Sequence, residues 1–539
     1  MYIYGDQTFK MPNHLNFGKY MLDHLRAVKS DNVCLENGLT YDKLTYKEAN
    51  QYAVNLAVAL LKLGVRRGDV VAFGSDNFLN YIPTALAVVF TGAAYTTFDD
   101  NIGKAVLKHK LNLVKPKYFI CSLPFWESYN DLLKSYDCIE TFIAIDDIPN
   151  IKLSLKTLVA SEDVDVDTFE PVTVEGKTDT ALILYSSGTT GMPKGVQITH
   201  SGCIVTSLPH AFSKLPSLRT AFMASTLGVN YYTFKTFKFL LLGRKVVYSS
   251  NRSAKIVLQI LRDCEVDVIF SGQVYIRILL LNSLSTDNYF DSVKMIYCRS
   301  FPIRIETINY FKKTLPKVES VIQGYGLCEC GEPMSELWGE YKPGSVGLAS
   351  PGIIAKVVDI KTRAILGPNQ PGEICIKGPS IMKGYIDIER TNYLDEEGFY
   401  LTGDLGYYDE EKYFYLIDRL TDVINYRGVK ISPVQVENIL LEHPAVLDVG
   451  VIGRPVPVVE EVPMAFVVKK PGADVSEDEL KKFVSDQVTA YMELQGGIMF
   501  IAKIPRNSRG KTLRRKLKEI LNENLHLMSP VPDFSELRC

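Results

Sequence analysis

The sequence predicts an α/β protein. We expect a large N-terminal domain of parallel sheets layered with helices plus a β-rich subdomain, and a small α+β C-terminal domain. Three observations carry this expectation. Helix-length amphipathic runs alternate with short apolar runs through most of the chain, the pattern of parallel sheets sandwiched by helices. From about Gly344 the texture changes to alternating segments (352–359, 372–377 and 413–417) punctuated by Gly, Pro and Asp, which reads as a smaller β-rich unit. After Arg419 a separate set of helix and strand signals begins, dividing the chain into 1–418 and 419–539 near Asp418 to Thr421.

Taken in order, Thr45-Tyr46-Lys47-Glu48 is a capping box that opens an amphipathic run closing at Gly64. A strand over 70–73 follows, and then an uncharged window, 77–98. That window contains Asn80, Pro83, Thr91 and Gly92, so it reads as a buried helix running into a strand rather than a membrane span. Residues 107–113 predict a helix and 118–121 a buried strand. The alternation resumes with a strand at 246–248, a helix at 254–264 and a strand at 266–270. In the C-terminal part, Ser432-Pro433 starts a helix that stops at Pro444, and 446–452 and 462–468 are strands. Ser476-Glu477-Asp478-Glu479 is a second capping box; 499–502 is a last strand and 513–522 a basic closing helix.

Composition excludes several classes. The 539 residues are 46% hydrophobic and 23% charged, ordinary for a globular protein. A formal charge of −2 gives no electrostatic case for nucleic acid or an anionic membrane. The ten cysteines are scattered, with Cys328 and Cys330 the one close pair, so neither a zinc site nor a disulfide framework is expected. The first residues lack the basic start and apolar core of a signal peptide.

The informative stretch is Leu184-Tyr185-Ser186-Ser187-Gly188-Thr189-Thr190-Gly191-Met192-Pro193-Lys194-Gly195. It follows an apolar run and is dense in Gly, Ser and Thr. Such a loop offers unpaired backbone N–H groups as an anion-binding nest, with Lys194 as a point charge. It is not a Walker A loop, because Pro193 precedes the lysine and Gly195 follows it. The chain's Gly510-Lys511-Thr512 also fails that pattern, having Pro505 where the earlier glycine should stand.

This loop resembles the phosphate loop of the AMP-forming adenylating enzymes: acyl-CoA synthetases, 4-coumarate–CoA ligases and beetle luciferases. The resemblance spans nearly the whole chain, and its texture is most similar to insect luciferase-like acyl-CoA synthetases. It implies a mobile C-terminal lid, ATP and Mg²⁺ as cofactors, and CoA as co-substrate. By resemblance, Ser186, Ser187, Gly188, Thr189, Thr190, Gly191 and Lys194 hold the phosphates. Gln323-Gly324-Tyr325-Gly326-Leu327-Cys328-Glu329 looks like the family's adenine and metal turn, with Tyr325 on the base and Glu329, beside Thr190, on Mg²⁺. Asp404, in Thr402-Gly403-Asp404, corresponds to the ribose acceptor, a role an ionised carboxylate suits. Asp418-Arg419-Leu420 resembles the hinge motif, with Arg419 reaching the ribose or phosphate and Thr421 as the hinge itself. Lys511 corresponds to the catalytic lysine that the lid delivers to the substrate carboxylate and α-phosphate.

The sequence departs from the family at defined places. Cys328 replaces the usual Thr and donates a hydrogen bond poorly. Arg299-Ser300-Phe301-Pro302 stands where a Gly-Ala-Pro-like turn lines the acyl pocket; an arginine there clashes with the acid or reads a second carboxylate on it. Asn425 and Thr421 replace the usual residues after and at the hinge. Residues 225–233, with Asn230 a pocket candidate, lack the histidine pattern of luciferases. These departures concern the acyl pocket and the second half-reaction. The leading expectation is therefore an ATP-dependent acid–CoA ligase acting on a small-molecule carboxylic acid, whether fatty, aromatic or dicarboxylic. The alternatives are a luciferase-type monooxygenase and a catalytically impaired nucleotide-binding relative. The final Glu536-Leu537-Arg538-Cys539 is not a Ser-Lys-Leu peroxisomal address, so the cytoplasm is the default expectation.

Overall fold

The computed structural model describes the chain apart from residues 9–10, 101, 187–191, 209–211, 213–214, 216, 226–227, 229, 284–287, 299–302, 304, 339–341, 421, 427–428, 457–459, 507–511 and 525–539. Two large sheets form the N-terminal body. The first is eight-stranded, in the order Gly384–Tyr385, Lys194–Thr199, Thr180–Ser186, Ala94–Phe98, Val70–Gly74, Tyr118–Cys121, Thr141–Ala144 and Leu153–Ser154. It is parallel from Thr180–Ser186 onward and antiparallel at the edge formed by Thr180–Ser186, Lys194–Thr199 and Gly384–Tyr385. The second is nine-stranded, with a parallel centre running from Ser320–Leu327 to Val33–Asn37. Short apolar strands such as Tyr118–Cys121 and Met295–Cys298 are buried at every position, as strands covered on both faces must be.

Helices fill the space between the sheets. Helix Tyr46–Lys62 is started by the predicted capping box, in which Thr45 and Glu48 satisfy each other's backbone N–H groups. Helix Tyr81–Phe90 and strand Ala94–Phe98 come from the single uncharged window, and all ten helix residues are buried. That burial on every side explains why the window carries no helical stripe. Both helices contribute to one continuous core that reaches residues of both sheets, including Phe73, Leu182, Tyr248 and Phe270.

The β-rich unit is a five-stranded antiparallel sheet, Ile3–Tyr4, Ile354–Val358, Gly372–Lys377, Tyr400–Tyr408 and Phe414–Arg419. The N-terminal Ile3–Tyr4 strand at its edge was not anticipated. The small C-terminal domain has its own five-stranded sheet, built on the long pair Val446–Val456 and Glu460–Lys469, with Ile498–Phe500 parallel beside it. Two local expectations are corrected there. Helix Pro433–Leu440 begins as predicted but ends before Pro444; a turn closed by His443 N–H donating to Leu440 O (3.1 Å) takes up the residues that the proline keeps out of helical geometry. Ser476 does cap helix Glu477–Ser485, accepting from Glu479 N–H at 3.1 Å, but Glu479 makes no reciprocal box. Its carboxylate lies 3.6 Å from His443 Nε2 instead, because the helix packs against the preceding one.

Candidate active site

Strands Thr180–Ser186 and Lys194–Thr199 form a hairpin in which Lys194 pairs with Ser186, so the Gly/Ser/Thr stretch is its connection. Residues Ser187, Gly188, Thr189, Thr190 and Gly191 themselves lie outside the described residues. The far side of the connection is held by His109, whose Nε2 donates to the Pro193 carbonyl at 2.9 Å. Lys194 is exposed and its ammonium stands 4.9 Å above the Tyr385 ring, on the strand that pairs with the hairpin edge.

Strand Ser320–Leu327 turns back into Gly331–Ser335, and the Tyr-Gly-Leu-Cys-Glu motif occupies the end of that strand and its turn. Glu329 is buried and accepts from the Tyr385 hydroxyl at 2.8 Å, while Tyr400 Oη lies 3.1 Å from Tyr385 Oη. Burial, and then the Glu329 carboxylate, push the hydroxyls of both tyrosines above their usual range, so they stay neutral donors. Cys328 directs its thiol at the Tyr185 carbonyl, 3.6 Å away, and so ties the turn to strand Thr180–Ser186. Gln323 uses its side-chain oxygen to accept from Ile303 N–H at 2.7 Å.

Asp404 sits on Tyr400–Tyr408 directly after Gly403, whose φ of +69° is a left-handed turn that favours glycine. Tyr325 donates its hydroxyl to one Asp404 oxygen, and Arg419 Nε lies 2.6 Å from the other. The pairing is fixed by the sheet, in which Asp404 and Arg419 are cross-strand partners. Burial works against the Arg419 charge, but Asp404 and then Tyr325, Glu329 and Tyr400 more than offset it and hold the guanidinium charged. Burial and Asp404 likewise keep the Tyr325 hydroxyl protonated.

Ser186, Lys194, Tyr325, Cys328, Glu329, Asp404 and Arg419 thus converge from four separate stretches of sequence. Gly324 and Gly326 flank Tyr325 and line a neighbouring cavity. Asn230 opens helix Asn230–Leu241. Arg299, Ser300, Phe301, Thr421 and Lys511 lie outside the described residues; Arg506 and Thr512, flanking the last of these, form an isolated bridge. Sequence reasoning missed Tyr385 and Tyr400, which contact Glu329 directly or through one another. It also missed a buried group, Lys235, Lys238 and Glu332, in which Lys235 Nζ lies 3.0 and 2.8 Å from the two Glu332 oxygens. The available signal was two lysines spaced three apart in the otherwise aromatic and aliphatic run Tyr231-Tyr232-Thr233-Phe234-Lys235-Thr236-Phe237-Lys238-Phe239.

Comparison with known proteins gives the family of the chain. Residues 23–386 match the AMP-binding enzyme family and residues 435–511 the AMP-binding enzyme C-terminal domain. A 4-coumarate–CoA ligase from Arabidopsis thaliana is 33% identical over 94% of this chain and 92% of its own length. A luciferin 4-monooxygenase from Nipponoluciola cruciata is 31% identical over 92% of this chain and 93% of its own. Among solved structures, ATP-bound MatB from Rhodopseudomonas palustris superposes with a TM-score of 0.84 at 24% identity, covering 94% of this chain and 99% of that one. An anthranilate CoA ligase in complex with anthranoyl-AMP gives 0.86 at 20% identity, over 96% and 99%. Matched over most of its length and carrying the adenylate-forming architecture, the chain belongs to the AMP-binding enzyme family.

Proposed function

We propose that this chain is an acid–CoA ligase. In the first step a carboxylate oxygen attacks the α-phosphorus of ATP, forming the acyl-adenylate and expelling pyrophosphate. In the second, the CoA thiol attacks the acyl carbon, the thiol proton is lost, and AMP departs with the oxygen that joined it. The observation that carries the reading is the convergence of Lys194, Glu329 and the Asp404–Arg419 pair at one place. These are the charges needed to hold a polyphosphate on one side and a ribose on the other.

In this reading Ser186, the 187–191 connection and Lys194 take the β- and γ-phosphates through backbone N–H groups and one cation. Asp404 accepts from the ribose hydroxyls, with Arg419 and Tyr325 fixing its orientation. Gln323, Gly324, Gly326 and Cys328 shape the wall beside the base. Lys511, carried by the C-terminal domain, meets the α-phosphate and the acid, and removing such a charge-stabilising donor typically costs ~10²–10³ in rate. The joint between domains 1–418 and 419–539 lies at Asp418 to Thr421. Mg²⁺ would supply charge screening on the phosphates; Glu329 suits it, because that ion is usually held by one or two carboxylates together with phosphate oxygens, and Thr190 is the second candidate.

A luciferase-type monooxygenase is the second reading, and the luciferin 4-monooxygenase relatives favour it. A pyrophosphate-release screen over fatty, aromatic and dicarboxylic acids, with and without CoA, separates the two. The ligase reading expects acid-dependent release accelerated by CoA, with thioester as product. Release indifferent to CoA, accompanied by light with a luciferin, would transfer the function to the monooxygenase. Nucleotide binding with no release from any acid would indicate the impaired relative. Lys511→Ala should abolish release while leaving ATP binding largely intact.

A further inference from the structure

Lys194 stands at the first pair of the hairpin, opposite Ser186, and its backbone is held on both sides. After it, the Gly195 carbonyl accepts from Ile386 N–H at 2.9 Å, just beyond the edge strand Gly384–Tyr385. Before it, Pro193 lies outside the ladder and has no N–H to give. The Pro193 carbonyl is held instead by a side chain, His109 Nε2 at 2.9 Å, which comes from helix Lys104–Val114. A carbonyl only accepts, so Nε2 carries the hydrogen, and the imidazole donates there whether neutral or protonated.

The next residue of the same helix acts on the other strand. Lys110, 8% exposed, has its ammonium 4.1 Å from the ring centroid of Tyr185, and Tyr185 is the cross-strand partner of Gly195. A desolvated ammonium over an aromatic face is a favourable contact. Consecutive residues of one helix thus hold both strands of the hairpin at the end where Lys194 sits. The freedom left to the backbone before Lys194 is small. The proline ring fixes φ at Pro193, and the bond from His109 fixes where its carbonyl points, hence ψ. The Lys194 ammonium stands 4.9 Å from the Tyr385 ring centroid, and the Tyr385 hydroxyl donates to Glu329 at 2.8 Å.

We infer that His109 is a positioning residue for Lys194: by holding the Pro193 carbonyl it presets the ammonium for the β- and γ-phosphates of ATP. The inference rests on the proposed phosphate role of Lys194 and deepens it. Presetting matters because lysine is a point charge on a flexible stem, and any ordering left until binding is subtracted from affinity. A role in folding alone would weaken the site for every ligand alike. The positioning role concerns only ligands that carry phosphates beyond the first.

The test is calorimetric titration of ATP and of AMP, without acid, read as the ratio of the AMP Kd to the ATP Kd. The proteins compared are the native chain, His109→Leu, His109→Gln, Lys194→Ala and the double variant of His109→Leu with Lys194→Ala. Leucine fills similar space without a donor, whereas glutamine keeps an N–H at similar reach. We expect His109→Leu to lower the ratio by roughly 3- to 10-fold, with the AMP Kd changed by less than about twofold. His109→Gln should retain most of the ratio. On the Lys194→Ala background, His109→Leu should change it no further, because the two residues act through one ammonium. The ratio is internal to each variant, so a loss of folded protein does not imitate the effect. If Lys194→Ala lowers the ratio but His109→Leu does not, if their effects add, or if glutamine is as impaired as leucine, the inference is overturned and the phosphate role of Lys194 stands. An unchanged ratio in Lys194→Ala overturns that role and this inference with it.

Discussion

Replacing Asp404 by asparagine tests the proposed ribose role of this residue while changing its shape little. In the folded protein the Tyr325 hydroxyl donates to one carboxylate oxygen and Arg419 Nε lies 2.6 Å from the other. A carboxylate oxygen can accept more than one hydrogen bond, which is what the proposed ribose role asks of Asp404. The amide keeps one acceptor oxygen, loses the charge, and turns an N–H₂ donor toward Tyr325 or Arg419. Removing one member of a buried ion pair costs about 3–5 kcal/mol. The Arg419 side chain is 32% exposed, so water recovers part of this and about 2 kcal/mol of stability is a fairer expectation. For the nucleotide, losing a charge-assisted acceptor is worth about 1.5–3 kcal/mol, or roughly 10- to 100-fold in Kd. Calorimetric titration of AMP and of its dideoxy analogue, which lacks both ribose hydroxyls, reads this directly. The native protein should discriminate between the two ligands by about that factor, and Asp404→Asn should not. Undiminished AMP affinity in the variant, or persistent discrimination, would refute the assignment of Asp404.

Further outcomes follow from the structure. Tyr385→Phe removes the 2.8 Å bond to Glu329 and should lower kcat by about 10-fold with a smaller change in KM, read by steady-state AMP formation. Because burial and Glu329 hold the Tyr385 hydroxyl neutral, the native rate should show no alkaline loss attributable to this residue. Glu336 is buried, and burial lifts its carboxyl from an ordinary 4.5 to about 8, against opposing contributions from the Gln323 N–H and Lys312. A raised carboxyl pKa favours the protonated folded state, so stability should fall as pH rises from about 4.5 to about 8, by a few kcal/mol. Chemical denaturation across that range should show the slope, and Glu336→Gln should flatten it. Thr45→Ala removes the N-cap of Tyr46–Lys62 and should destabilise the N-terminal domain by about 1 kcal/mol in the same assay.

Local features were legible in sequence where one short segment decides them. Thr45 and Glu48 form their box because both partners belong to the same turn. Ser476 and Glu479 have the same spacing, yet only half the box forms, and the Glu479 carboxylate lies 3.6 Å from His443 Nε2. The candidate site residues were legible as separate motifs, but that Tyr325, Asp404 and Arg419 share one hydrogen-bonded group depends on the strand register pairing Asp404 with Arg419. The Lys235–Glu332 pair was not legible. Its members lie 97 residues apart, and a lysine in an aromatic helix reads equally as a surface position until the facing strand is known. Tyr385 was hidden for a similar reason, because its place comes from an edge strand that docks on the Lys194–Thr199 strand.

The central claim is that a carboxylate oxygen attacks the α-phosphate of ATP within this site. The most direct measurement supplies the acid with heavy oxygen in its carboxyl group, together with ATP and CoA, and analyses the products by mass spectrometry. We predict one labelled oxygen in AMP and none in pyrophosphate. Label in pyrophosphate or inorganic phosphate, or unlabelled AMP formed during acid consumption, would contradict the account.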